Sequence, residues 1–159
     1  SFYLWLKLLD DNKIKYNNAS FLINKNGKPY LKGNPCYFNY AHSGNYVIAA
    51  ISDHPIGVDV EIMEKKDITD NLANHVFTQD ELLIYKKKKD KLPFFYKTWV
   101  KKESYVKYTS EGLAKAFPTI NFNDNTISSL FFKTFCRSQH YFAICAEVRC
   151  IDLLKSIRI

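Results

Sequence analysis

Asp59 and Glu61 stand two residues apart in the run Ile56-Gly57-Val58-Asp59-Val60-Glu61-Ile62. In a strand, residues two apart share a face at about 7 Å separation. The two carboxylates would then lie together, with the aliphatic set Ile56, Val58, Val60 and Ile62 buried on the opposite face. Like charges side by side on a strand repel. A divalent cation relieves that cost, and hard carboxylate oxygens suit Mg²⁺. The bland alternative is a pair of solvated acids, and an isolated Asp-x-Glu leans toward it.

A third carboxylate shifts that balance. Phe95, Trp99, Val106 and either Lys102 or Glu103 fall on one face of a helical pattern, which predicts a buried Trp99. Glu103 follows Trp99 by four residues and sits above it on the helix. A carboxylate inside an apolar stripe must be paired or bind a metal. Lys107, four residues further on, offers an ordinary helix-face ion pair, worth about 0.3–0.5 kcal/mol, or a cation beside a phosphate. Periodicity leaves these readings even. His42 in the turn Ala41-His42-Ser43-Gly44 and Lys28-Pro29 after a glycine turn are weaker candidates. A turn histidine is ordinarily solvated. A lysine held by a neighbouring proline presents a fixed charge to a phosphate, or is simply a surface hairpin lysine.

The elements that must position these residues are readable in outline. Asn24-Lys25-Asn26-Gly27 is a hairpin signal. Strands are expected over Tyr37–Ala41, Tyr46–Ser52 and Ile56–Met63. Thr78 with Glu81 forms a capping box opening a helix over Gln79–Lys89, whose last turn carries Lys86–Lys89, where positive charge suits the dipole. A longer helix runs from about Pro93 to Tyr108, and Gly112 and Pro118 end the helical region. Strands return at Ser129–Cys136 and His140–Val148, joined by Arg137-Ser138-Gln139. The segment Ile151–Ile159 is ambiguous between helix and strand. Strands, then helices, then strands indicate α+β with antiparallel sheets.

The bulk numbers fit this outline. The chain has 159 residues, 47% of them hydrophobic and 16% aromatic, enough to bury a core and to exclude a disordered chain. A net charge of +7 points to an anionic partner, whether nucleic acid, phosphorylated cofactor or acidic protein. The excess of Lys over Arg also fits codon bias in an AT-rich genome. Cys36, Cys136, Cys145 and Cys150 form no CxxC and have no histidine at zinc-finger spacing. They are expected to be reduced, mostly buried thiols of a cytoplasmic protein. No apolar run approaches the roughly 20 residues of a membrane helix. The opening SFYLWLKLLDD lacks the basic start and cleavage site of a signal peptide and suits a packed element. The chain begins with Ser, so part of the natural N-terminus is expected to be absent.

Three segments together resemble the Sfp-type phosphopantetheinyl transferases. They are Gly27-Lys28-Pro29 with Phe38-Asn39-Tyr40-Ala41-His42-Ser43-Gly44; Ile56-Gly57-Val58-Asp59-Val60-Glu61; and Trp99-Val100-Lys101-Lys102-Glu103-Ser104-Tyr105-Val106-Lys107. They match GKP with FN(V/I)SHS, G(I/V)DxE and WxxKExxxK in order and spacing, save that Ala41 stands where the pattern often has Ser. The resemblance implies two similar lobes with pseudo-twofold symmetry, antiparallel sheets packed with helices, and coenzyme A bound between the lobes. Residues 1–55 would form a shortened N-terminal lobe and 56–159 a C-terminal lobe carrying the metal site, in a monomer of pseudo-dimeric design. It further implies that Asp59, Glu61 and Glu103 hold Mg²⁺ and that Lys102 and Lys107 contact the CoA pyrophosphate. His42 would contact a CoA phosphate, and Lys28 with Pro29 would line the adenosine-phosphate end. Glu81 matches a family position near the active site, without a clear role.

The implied reaction moves 4′-phosphopantetheine from CoA to a serine of an acyl or peptidyl carrier protein, with release of 3′,5′-ADP. Glu103, Lys107 and Asp59 are its expected catalytic residues. Nucleic acid and membrane are not expected partners. Two rivals stay open. A metal-dependent nuclease shares the carboxylates and the charge, although Glu61 is followed by Ile62-Met63 rather than a Lys two residues on. A catalytically impaired CoA- or carrier-binding relative would fit the short first lobe.

Overall fold

The structure, a computed structural model, describes residues 2–17, 20–64, 68–111, 117–147 and 154–158, with backbone alone described for Phe2, Trp5 and 154–158. Gly112 and Cys150 lie outside the described residues. The chain opens with helix α1 (Phe2–Asp11) and the hairpin strands β1 (Phe21–Ile23) and β2 (Pro29–Leu31). Strands β3 (Tyr37–Ser43), β4 (Tyr46–Ser52) and β5 (Ile56–Ile62) follow, then helices α2 (Asp70–Val76), α3 (Gln79–Lys87) and α4 (Leu92–Thr109). After a 3₁₀ turn at Phe117–Thr119 come α5 (Asn125–Ser128), β6 (Leu130–Arg137), β7 (His140–Glu147) and β8 (Leu154–Arg158). This is the expected α+β arrangement, with antiparallel pairing throughout the described sheets.

The apolar N-terminal segment, expected to be a packed element, is helix α1. Leu8 and Leu9 are fully buried and pack with Leu31, Phe38 and Ile51. The Asn24 side chain makes the predicted hairpin turn, its Oδ1 accepting from the amides of Asn26 and Lys28, each at 2.9 Å. The capping box also forms: Thr78 N donates to Glu81 Oε2 at 2.8 Å, and Glu81 N to Thr78 Oγ1 at 3.3 Å. Helix α4 carries Pro93 in its first turn, where its missing amide hydrogen costs nothing. It ends on Ser110 in the left-handed region, φ 59°. The ambiguous C-terminal segment supplies β8, which pairs with β4.

Two three-stranded sheets result, ordered β3-β4-β8 and β5-β7-β6. Their edge strands β3 and β5 lie side by side in the same direction, and side chains bridge the seam. Val58 N donates to Asn39 Oδ1 at 2.8 Å, and Ile62 N donates to Ser43 Oγ at 3.0 Å. Asn39 and Ser43 are four residues apart, as are Val58 and Ile62, so both bridges keep one register. A shared core seals the seam: Ala41, Ile48 and Ala50 pack with Val58, Val60, Phe142 and Ile144. Ile56, Val58 and Val60 are buried as the alternation predicts, while Ile62 at the strand's end is only partly buried.

The other face of β5 is covered by α4. Gly57 makes this possible, because a methyl group there would sit 1.9 Å from Ser104 O and 2.4 Å from Tyr108 N. Beyond α4 an aromatic core gathers Phe77, Tyr85, Phe95, Tyr105 and Phe117. Trp99, expected to be buried, is half-buried against this cluster, stacked on Phe95 at 5.9 Å between ring centroids. Cys36 and Cys145 are buried as expected, but Cys136 is exposed, on the outer strand of its sheet. No described helix is long and apolar enough to cross a membrane.

Candidate functional site

The close packing of β5 on α4 sets Asp59 and Glu61 opposite Glu103 and Lys107. Asp59 is 3% exposed, and its Oδ1 accepts a hydrogen bond from Lys107 Nζ at 2.6 Å. Its Oδ2 is buried without a hydrogen-bond partner. Burial pushes the Asp59 carboxyl up to about 7 even though the Lys107 ammonium pulls it down, and the charges of Glu103 and Glu61 add to the rise. Glu103 is also raised by burial, with Lys107 opposing and Glu61 adding. Lys107 therefore pairs across to Asp59 of β5.

Glu61 is half-exposed at the end of β5, and its Oε2 accepts from Ser43 Oγ at 3.0 Å. A cavity of about 340 Å³ is lined by Tyr40, His42, Asp59, Glu61, Glu103 and Lys107. Five residues proposed from sequence thus share one concavity. A larger cavity of about 530 Å³ shares Tyr40, Glu103 and Lys107 with it and is also lined by Lys28, Pro29 and Asn39. The two cavities adjoin along the seam and the C-terminal half of α4.

Could a metal fit here? Three hard carboxylate donors line one concavity, and one buried carboxylate oxygen lacks a partner, which is the donor chemistry of Mg²⁺. As the side chains stand, no group of three or more His, Cys, Asp or Glu among the described residues is closed around a common ion position. Lys107 instead supplies the charge against Asp59.

Lys28 is held by the fold. Its Nζ donates to Lys107 O at 2.5 Å and to Ile56 O at 3.3 Å, capping the end of α4 from the β1–β2 hairpin. Asn26 Nδ2 adds a bond to Ser110 O at 2.6 Å. Burial brings Lys28 down to about 8.

Lys102 does not reach the cleft, which corrects its assignment to a pyrophosphate. It is fully buried, and its Nζ donates to Glu81 Oε2 at 2.6 Å, Val76 O at 2.7 Å and Phe117 O at 3.0 Å. Three oxygen acceptors satisfy all three of its hydrogens. Of the two residues that could complete the Phe95–Val106 face, Lys102 is the one turned into the core. Glu81 gains a role by the same contact: it closes the capping box of α3 and neutralises Lys102.

Sequence reasoning did not single out Ser43, Asn39, Tyr40 or Gly57. The i, i+4 spacing of Asn39 and Ser43 was a usable signal, since residues an even number apart point the same way from β3. The approach of α4 to Gly57 left no trace beyond the glycine itself.

Comparison with known proteins fits this geometry. Residues 55–151 match the family model of the 4′-phosphopantetheinyl transferase superfamily. The chain is 34% identical over 109 residues to the 4′-phosphopantetheinyl transferase Sfp of Bacillus subtilis, covering 67% of this chain and 46% of that protein. It is 33% identical over 102 residues to the 4′-phosphopantetheinyl transferase gsp of Aneurinibacillus migulanus, covering 63% and 42%. It is 34% identical over 85 residues to the 4′-phosphopantetheinyl transferase AcpT of Salmonella typhi, covering 51% and 44%. The matched regions span less than half the length of these relatives.

Proposed function

The chain belongs to the 4′-phosphopantetheinyl transferase superfamily, and from that premise we propose that it transfers 4′-phosphopantetheine from coenzyme A to a serine of an acyl or peptidyl carrier protein. One observation carries the reading. Asp59, Glu61, Glu103, His42 and Lys107 line one concavity that adjoins the cavity of Lys28 and Pro29. Acids and cations side by side in adjoining cavities support binding of a phosphate-bearing ligand.

In this reading Asp59, Glu61 and Glu103 hold Mg²⁺. The ion supplies charge neutralisation on the CoA pyrophosphate when bound. Lys107 leaves Asp59 in part to face that pyrophosphate, and His42 contacts a CoA phosphate. Lys28 and Pro29 form the wall near the adenosine-phosphate end, with Lys28 acting through the backbone it holds. Glu103 takes the proton of the attacking serine hydroxyl, from its place in the same concavity as Lys107. The serine oxygen bonds to the β-phosphorus, the bond to the leaving phosphate oxygen breaks, and 3′,5′-ADP departs. Phosphoryl transfer rests mainly on positioning and charge, which is what these side chains provide.

We also infer two pseudo-symmetric lobes, 1–55 and 56–159, working as a monomer in the cytoplasm. A basic surface, +7 overall, suits steering of acidic carrier proteins.

The test is mass spectrometry of several apo-carrier proteins after incubation with CoA, Mg²⁺ and the protein. One phosphopantetheine mass gained on one serine is the expected result. No gain on any carrier, with CoA still bound in a titration, would replace this reading with that of a CoA-binding relative lacking catalysis.

A further inference from the structure

Ser43 sits at the seam between the sheets, on the last residue of β3. Its Oγ accepts the amide hydrogen of Ile62 at 3.0 Å. A hydroxyl has one proton of its own. With the Ile62 bond supplied by the amide, that proton is free to go to Glu61 Oε2, which lies 3.0 Å away. One serine thus locks the backbone beside Glu61 and one oxygen of its carboxylate at once.

We propose that Ser43 is a positioning residue that fixes the Glu61 carboxylate for a divalent cation shared with Asp59 and Glu103. This rests on the reading of those carboxylates as cation ligands. The seam alone does not demand the second bond. Asn39 bridges the same two strands through Val58 N and carries no carboxylate, whereas Ser43 bridges them and also donates to one. The turn after Ser43 packs against His140. Gly44 follows Ser43 with φ +54°, and a methyl group there would lie 2.8 Å from His140 Nε2. His140 is buried and held by Ser138 O at 2.8 Å. His140 thus packs closely against the turn that follows Ser43, whose hydroxyl meets Glu61 at 3.0 Å. A carboxylate without such a partner samples several rotamers, and groups that orient a metal's ligands ordinarily contribute about 10-fold or more to affinity.

The experiment titrates Mn²⁺ into the protein, with and without CoA, and follows free Mn²⁺ by electron paramagnetic resonance against a CoA blank. Ser43→Ala should bind Mn²⁺ about 10-fold more weakly than the unaltered protein, and Ser43→Thr, which keeps the hydroxyl, should restore most of the affinity. Melting temperatures of both variants separate this from a purely structural role, which would lower stability in Ser43→Ala while leaving the Mn²⁺ affinity alone. Equal affinity in Ser43→Ala overturns the role of Ser43 and leaves the cation site standing. No Mn²⁺ binding by the unaltered protein, with or without CoA, removes the cation site and this inference with it.

Discussion

Gly57 of β5 lies directly beneath Ser104 of α4, so closely that a β-carbon on Gly57 would stand 1.9 Å from the Ser104 carbonyl oxygen. The obstructing atoms are backbone and cannot rotate away. This contact brings the two carboxylates of β5 to the acid and the lysine of α4. Gly57→Ala should therefore destabilise the fold by about 3 kcal/mol or more, beyond ordinary overpacking, and should abolish transfer by parting the two elements. Thermal or urea unfolding measures the first effect. Gly33→Ala is the comparison: its surroundings are open but its φ is +81°, so it should cost only about 1–2 kcal/mol. Similar losses at both positions would contradict the close-packing account.

Lys102 and Glu81 form a buried ion pair that serves the core. Removing Lys102 strands Glu81, whose side chain is 18% exposed and keeps its bond from Thr78 N, at about 1–3 kcal/mol. Lys102→Met should accordingly lower stability by an amount in that range, and Lys102→Met with Glu81→Met should lose less than the sum of the two single changes. The CoA affinity of whatever fraction remains folded should stay near that of the unaltered protein. A variant of full stability with weakened CoA binding would return Lys102 to the pyrophosphate.

What could be read beforehand follows from periodicity. Asp59 and Glu61 share a face because strands repeat every two residues, and Glu103 stands with Lys107 because helices repeat every 3.6. The capping box at Thr78 was legible because all its atoms lie within four residues. Long-range partners were not. At 100° per residue the Phe95–Val106 stripe could not say whether Lys102 or Glu103 entered the core. The carbonyls of Val76 and Phe117 decide it, and both lie outside the helix. Lys28 reads as a hairpin lysine until its acceptors at Ile56 and Lys107 are known. The pairing of β8 with β4 joins residues more than a hundred positions apart, and no local pattern announces it.

The position of Lys28 has a consequence for stability against pH. Its ordinary value of 10.5 falls to about 8 in the folded protein, chiefly through burial. Between those values the unfolded chain keeps a proton that the folded protein has released. Stability therefore rises as pH increases from 8 toward 10.5 and carries the full cost of the buried ammonium below 8. Lys28→Met should flatten this part of the curve, by up to about 1.4 kcal/mol per pH unit. Lys101 and Lys102, also lowered by burial, contribute the same sign and remain in the variant. Urea unfolding at several pH values across the window measures the slope, and identical slopes in both proteins would show that Lys28 does not titrate there.

Lys107 and Asp59 allow structure and catalysis to be separated. Lys107→Met leaves a carboxylate that is 3% exposed with neither oxygen hydrogen-bonded. It should cost about 1–3 kcal/mol of stability. Adding Asp59→Asn removes the stranded charge, so the double variant should regain part of that loss. Transfer activity should behave otherwise. Lys107→Met alone should lower the transfer rate about 100-fold or more, as expected for a group that stabilises developing charge. The double variant should recover none of it, because both members of the pair serve the reaction. Unfolding curves and transfer rates on the same three proteins give the comparison. Recovery of rate together with stability would mean that the Lys107–Asp59 pair holds the fold and takes no part in the transfer.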